Sequence, residues 1–164
     1  MAAAADLVLK NFVWRIETLT PTETTLLSGS RFVHVDPWRC DPGTLTYRRF
    51  SVLWRDSDED HTSVDGGVTD SLSQRPAMHR FEVSVYYPRK SEYHDLQTAI
   101  LRDRHDITKQ VRNPDNFVGY SATVSTGSIG LYNRIREGDS LDLDDEEMWV
   151  YRATWRCIIN ETEN

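Results

Sequence analysis

The clearest structural signal in this sequence is the stretch Met78-His79-Arg80-Phe81-Glu82-Val83-Ser84-Val85-Tyr86-Tyr87-Pro88. Apolar and polar side chains alternate along it, and the apolar ones on one side are Phe81, Val83, Val85 and Tyr87. A period of two with one wet face is typical of a strand in an antiparallel sheet. Pro88 ends the strand because proline has no N–H for the sheet ladder.

Five other segments are predicted to be strands of the same sheet. The apolar faces of these strands carry Trp54, Trp149 and Trp155, and packing in the core is the default for most of them. Their opposite, polar faces also carry Leu53, Val150 and Ile158, which suits a sheet covered on its second side by another subunit or, equally, by loops. The five segments are residues 31–35, 47–55, 118–124, 129–135 and 148–159.

Two segments have the three- and four-residue spacing of amphipathic helices. The first begins at Asp6 as the N-cap and ends before Pro21, although its strand-prone residues leave a strand as the alternative. The second runs from Ser91 to about Arg112. Its apolar stripe consists of Leu96, Ile100, Ile107 and Val111, and its polar face of Arg102, Asp103, Arg104, Asp106 and Lys109.

The order of these elements predicts an α+β fold: a mostly antiparallel β-sheet with two packed amphipathic helices, in a single domain over residues 1–164. Residues 56–76 are rich in Asp, Ser, Thr and Gly and are predicted to form a long exposed loop. A connection of that length is unusual in a compact domain. A second, acidic connection is predicted for residues 137–147.

Composition narrows the class of protein. Lys and Arg total 19 against 26 Asp and Glu, for a formal net charge of −7. This charge argues against a nonspecific binder of nucleic acid or anionic membranes, which needs a basic surface. No segment approaches the ~18–20 apolar residues that cross a bilayer, and residues 1–6 lack the features of a secretory signal. With only Cys40 and Cys157, we expect a protein kept in a reducing cytosol.

The residues that carry chemistry form no recognisable catalytic or metal-binding motif. His94 and His105 lie on nearly one helical face but roughly 16 Å apart, too far to share a metal. Acids with the alternating spacing of calcium loops lack the Gly and Glu that an EF-hand requires, so we predict solvated acidic loops, with a loose divalent site as the alternative. We therefore predict no catalytic, cofactor-binding or metal-binding residues and no enzymatic activity.

Several general features occur together in one order along the chain. An N-terminal amphipathic helix ends in Ile16-Glu17-Thr18-Leu19-Thr20-Pro21, and the strand of residues 78–88 precedes a helix containing Leu101-Arg102-Asp103-Arg104-His105-Asp106-Ile107. An acidic approach, Leu141-Asp142-Leu143-Asp144-Asp145, then leads into the final strand. In this combination the chain resembles the tail-terminator (tail-completion) and neck proteins of tailed bacteriophages.

The resemblance implies a virion protein, made in the host cytoplasm, that closes into a ring, usually a hexamer, on the head-proximal end of the tail tube. There it stops further tube subunits from adding and offers a docking surface to the neck or head-closure protein. The mechanism is steric and uses no cofactor. The expected partners are other copies of the chain, the tube protein and the neck protein. DNA passes through the ring without specific binding, which a negative lumen favours.

The residues predicted to contact neighbouring subunits or partners are charged. They belong to the two acidic stretches and to the polar face of the last strand. They are Asp56, Asp58, Asp60, Asp142, Asp144, Arg152 and Arg156.

Two other functional classes stay open from the sequence, besides a head-closure or other neck protein. A small-ligand or peptide-binding β module predicts an apolar cavity lined by Tyr and Trp. An enzyme with a dispersed active site predicts a deep pocket with a histidine and a carboxylate in contact. A ring subunit predicts a flat molecule with two opposed interaction surfaces.

Overall fold

The protein is described by a computed structural model over residues 4–27, 31–36, 47–59, 74–88, 93–112, 131–143 and 148–162. These residues form two helices and five strands. In chain order they are α1 (Ala4–Glu17), β1 (Val33–His34), β2 (Arg49–Glu59), β3 (Gln74–Pro88), α2 (Tyr93–Arg112), β4 (Leu131–Leu143) and β5 (Met148–Thr162). The strands make one sheet in the order β1-β2-β3-β5-β4.

The sheet is mostly antiparallel, which confirms the predicted α+β fold. Strands β2, β3, β5 and β4 pair antiparallel, whereas β1 pairs parallel with β2 at Arg49 and Phe50. Both helices lie on the same face of the sheet, because they pack against each other and their buried side chains join one core with Phe81 and Trp155. This leaves the opposite face, here called the open sheet face, without a helix among the described residues.

The alternation in β3 decides which side meets the helices. Its predicted apolar side chains are fully buried, and Phe81 stacks on Phe12 of α1 with ring centroids 5.3 Å apart. Phe12 also meets Trp155 of β5 edge-on, at 6.2 Å. The first segment is thus a helix, and its apolar face supplies the middle of the core.

Strand structure extends into both stretches that were predicted to be connections. β2 continues to Glu59 and β3 begins at Gln74, so the ends of the predicted loop of residues 56–76 are strand, while residues 60–73 lie outside the described part. β4 likewise contains residues 137–143 of the predicted acidic connection. Backbone hydrogen bonds hold a strand in its sheet whichever side chains it carries, so acidic residues do not prevent strand formation. Here the acidic side chains also pair with arginines on adjacent strands. The predicted strand of residues 118–124 lies outside the described residues.

Four residues are placed differently from what their sequence patterns indicate. Trp54 is 51% exposed although its cross-strand partner Phe81 is buried, and its indole N–H donates to Nδ1 of His79 at 3.2 Å. Asp6 is not an N-cap, since α1 begins at Ala4, and it pairs with Lys10 one turn later. Asp103 and Asp106, predicted on the polar face of α2, are buried.

Asp103 is buried because it binds a buried arginine. The carboxylate receives two hydrogen bonds from Arg48, from Nε at 2.7 Å and from Nη2 at 2.9 Å, and one from the Tyr87 hydroxyl at 2.9 Å. Both charged side chains are fully buried. Burial raises the pKa of Asp103 even though Arg48 and Tyr87 favour its charged form. The pairing joins α2, the start of β2 and β3.

Glu23 completes this network from the segment after α1. Nη2 of Arg48 donates to the Glu23 backbone carbonyl at 2.7 Å, and the Glu23 carboxylate accepts the N–H groups of Thr25, Leu26 and Leu27. Burial disfavours the charged carboxylate, but these three N–H groups and Arg48 outweigh it and hold the pKa of Glu23 below its ordinary value of 4.5. The chain after α1 is thereby tied to α2.

We expect Arg48→Met to lower the free energy of unfolding by about 3–5 kcal/mol, because it leaves a buried carboxylate without its cation. Urea unfolding followed by circular dichroism measures the loss. The double variant Arg48→Met with Asp103→Leu should lose less than the sum of the two single variants, since neither charge then stays buried alone. Arg55→Ala, at an exposed ion pair with Glu82, is the matched control and should change stability by less than about 1 kcal/mol.

Glu23→Gln tests the same network by its pH dependence. Because the folded-state pKa of Glu23 is lowered, its stabilisation is present above pH 4.5 and is lost as the pH falls further. At pH 7 the variant should be less stable by about 1–3 kcal/mol. The difference between the two proteins should shrink from about pH 5 to about pH 3. A difference that stays constant over this range contradicts the assignment.

Candidate interaction surfaces

The open sheet face carries four of the seven predicted contact residues. Asp56 lies on β2, Asp142 on β4, and Arg152 and Arg156 on β5. Side chains of β5 alternate, so that Arg152 and Arg156 point away from the face that holds buried Trp155. The sequence therefore placed these charges on the correct side of the sheet.

A cluster of four charges on the open face extends across four of the five strands, from β2 to β4. Arg80 and Arg156 are direct cross-strand neighbours on β3 and β5, and Glu137 of β4 lies between them. One Glu137 oxygen is 3.2 Å from Nε of Arg80, and the other is 3.5 Å from Nε of Arg156. Asp56 pairs with the same Arg80 at 3.1 Å. We call Asp56, Arg80, Glu137 and Arg156 the Glu137 cluster.

A second, smaller group lies further along the same face. Nη1 of Arg152 is 3.0 Å from Oδ2 of Asp142, which also accepts a hydrogen bond from the Ser140 hydroxyl at 2.8 Å. Asp142 is more than half exposed, so its second oxygen is accessible to a partner. The two groups give the open face charges of both signs that pair within the face.

The other predicted contact residues are less defined. Asp58 belongs to β2, and its cross-strand partner is Met78. Asp60 and Asp144 lie outside the described residues. Among the residues that the structure describes, no three His, Cys, Asp or Glu side chains lie close enough together to hold a metal ion.

The open face is not uniform along its strands. Near one end, Tyr86, Met148 and Val150 are buried and pack with Val35, and the Tyr86 hydroxyl lies 3.1 Å from that of Ser51. Beyond the middle, at Gly138 of β4, a Cβ added to the backbone would meet no atom within 4 Å. Together with the exposed charges, Gly138 marks the accessible part of the face.

A groove of about 340 Å³ runs along α1 on the flank of β1 and β2. Its apolar lining comes from Leu9, Val13 and Trp14 of α1 and Val52 of β2. Its polar lining consists of Asp6, Lys10, Glu17 and His34. We call these eight residues the α1 groove. The Glu17 carboxylate accepts the backbone N–H of His34 at 3.4 Å, so it also covers the edge of β1.

Helix α2 lies over β4, on the flank opposite the α1 groove. We call its exposed side, which carries Leu101, Arg102, Lys109 and Arg112, the outward face of α2. Arg104 of α2 forms an ion pair with Asp139 of β4, which Arg136 also approaches at 3.3 Å. Burial disfavours the charged form of Asp139, but these two arginines outweigh it and lower its pKa. One turn before Arg104, Leu101 is 56% exposed, the largest exposed fraction among the described large hydrophobic residues.

Several of these residues could not be singled out from the sequence. Glu137 was placed in a predicted connection, where no cross-strand neighbour could be assigned to it. Of the groove residues, Leu9 and Val13 were assigned to the apolar face of a helix and Val52 to the apolar face of a strand, where packing in the core is the usual outcome. Leu101 did carry a signal, since it falls outside the stripe of residues that α2 buries.

Comparison with known proteins assigns the chain to no family. No model of a protein family matches it, and no curated protein matches it either. Neither α1 nor α2, the two helices of the described part, is long and apolar enough to cross a lipid bilayer.

We expect Glu137→Gln to lower the free energy of unfolding by about 1 kcal/mol or less at low salt, because it leaves two neighbouring arginines without the charge between them. The loss should become smaller as salt rises, since salt screens the repulsion of exposed charges. Urea unfolding at two ionic strengths measures both effects. Ser140→Ala on the same strand is the control and should show no dependence on salt. An equal loss for Glu137→Gln at both ionic strengths contradicts this account.

Proposed function

We propose that this chain is a structural subunit of a ring, with the role of a tail terminator in a tailed bacteriophage. The proposal joins the resemblance found in the sequence to one structural observation, the charged and accessible open sheet face. The charged part of this face spans four of the five strands and lies opposite the helical layer. A flat subunit with two different outer surfaces is what a ring between tube and neck requires.

The chemistry of the open face suits docking rather than a reaction. Its charges of both signs are already paired in cross-strand groups, so their positions are defined before a partner arrives. Preorganised polar side chains lower the cost of ordering on binding and provide specificity. We propose that the tube protein or the neck protein docks here, with Asp142, Arg152 and Arg156 among the contacts.

The proposed mechanism is steric. A ring of these subunits, proposed to be a hexamer, covers the growing end of the tail tube, and tube subunits can then no longer add. The net charge of −7 favours a lumen that does not hold passing DNA phosphates. The proposed location is the tail or neck of the virion, after synthesis in the host cytoplasm. No covalent step and no cofactor is part of this proposal.

Deletion of the gene from the genome that encodes it, followed by electron microscopy of the particles, tests the function. Overlong tubes without heads support a terminator, because nothing then stops the tube from growing. Tails of normal length that fail to join heads support a head-closure or other neck protein instead. Unchanged particles overturn the structural role.

Gly138→Arg tests the open face directly. The side chain points into open space, so we expect the purified variant to fold with a melting temperature close to that of the original chain. In a deletion strain supplied with the variant, we expect the count of infectious particles to fall at least about tenfold, because a buried unmatched arginine costs more than 1.4 kcal/mol. Gly138→Ala is the control and should restore infectivity. Full infectivity with Gly138→Arg contradicts docking on this face.

A second candidate, a small-ligand or peptide-binding module, is favoured by the α1 groove, whose lining is apolar with polar groups at its margin. One tryptophan lines it and no tyrosine does, so the match to the predicted aromatic cavity is partial. A ligand in the groove should quench or shift the fluorescence of Trp14. The original chain and Trp14→Phe, titrated with the same compound, distinguish this signal from those of the other tryptophans.

A further inference from the structure

We propose that the α1 groove receives the outward face of α2 from a second copy of the chain, with Leu101 seated on the apolar part of the groove. This inference rests on the proposed ring and names the contact that builds it. The open sheet face stays available for the tube or the neck in such an assembly.

The first argument is the chemistry of the outward face of α2. The chain as a whole is acidic, yet the exposed charges of this helix are mostly basic, with Arg102, Lys109 and Arg112 against Asp95. Leu101 stands among them as an exposed apolar side chain. An exposed leucine on a mostly basic helix face fits a partner that offers an apolar depression bordered by carboxylates.

The α1 groove of another copy has that chemistry. Leu9, Val13 and Val52 form an apolar floor, and the carboxylates of Asp6 and Glu17 stand towards its two ends. Asp6 pairs with Lys10, but both side chains are about half exposed, so this pair is worth little and can exchange partners. The basic helix face and the acidic groove are therefore complementary in charge.

The spacing along the two helices also agrees. Leu101 and Lys109 are eight residues apart, about 12 Å along α2. Val13 and Asp6 are seven residues apart, about 10 Å along α1. An antiparallel α2 with Leu101 on Val13 therefore brings Lys109 within reach of Asp6.

The positions of the two surfaces explain why they need two copies. The groove lies on the flank of β1 and β2, whereas α2 packs over β4 at the other edge of the sheet. The surfaces cannot meet within one chain. Two different patches that join copy to copy form a heterologous contact, which produces a ring when the rotation between neighbouring copies closes.

Complementation between two blocked variants tests the contact. Leu101→Asp blocks the helix surface and Val13→Arg blocks the groove, and each should weaken self-association at least about tenfold, because a buried leucine side chain contributes about 1.5–3 kcal/mol. Sedimentation velocity of each variant alone should show monomers. An equal mixture should show dimers of one copy of each and nothing larger, because each variant keeps one intact surface.

Two controls support this reading. Leu101→Met keeps the volume and apolarity of the side chain and should associate like the original chain. Since Val13 also packs against the core, Glu17→Arg at the exposed margin of the groove replaces Val13→Arg if that variant unfolds. Circular dichroism of every variant checks the fold.

The possible failures are distinct. If the original chain associates and both blocked variants associate equally well, the contact lies elsewhere and the ring proposal stands. If both variants are monomers but their mixture stays monomeric, the two surfaces do not bind each other. If the original chain is a monomer at every concentration of a purified sample, both this inference and the ring proposal are overturned.

Discussion

The buried pairing of Arg48 with Asp103 fixes how α2 packs against the strands and against the segment after α1. The guanidinium of Arg48 also donates a hydrogen bond to the backbone carbonyl of Glu23. The Arg48 side chain therefore connects the start of β2, α2 and the segment after α1. Arg48 itself adopts a positive φ of 59°, a conformation that costs a non-glycine residue about 1–2 kcal/mol. The surrounding contacts hold it there, because otherwise three buried charges would lack their partners.

Because both helices cover one face of the sheet, charged side chains of the strands can lie on the other, the open sheet face. The Glu137 cluster and the pair of Arg152 with Asp142 turn that face into an ordered polar surface. The same layer geometry places the α1 groove and the outward face of α2 on opposite flanks. The chain thus offers three distinct surfaces, two at its flanks and one on the sheet, and the proposed ring would use all three.

Sequence patterns were reliable where one local property controls the outcome. The alternation around Phe81 predicted the buried side of β3, and the spacing of Leu96 and Ile100 predicted the buried side of α2. They failed where a distant residue reverses a local preference. Asp103 reads as a solvent-exposed acid of an amphipathic helix, and only the arrival of Arg48 and Tyr87 makes its burial possible. The alternation of β2 places Trp54 on the core side, yet it is half exposed opposite the buried Phe81.

The sequence by itself determined the second helix, the strands around Val83 and Trp155 with their buried faces, and the side of the sheet on which Arg152 and Arg156 lie, because periodicity acts within a few residues. Which charges meet was decided only by the tertiary structure. Glu137 lies more than fifty residues from Arg80, and their contact follows from the strand order β3-β5-β4 and its register. Leu101 and the α1 groove lie on opposite flanks of the molecule for the same reason. Strand order is a long-range property that no local pattern encodes.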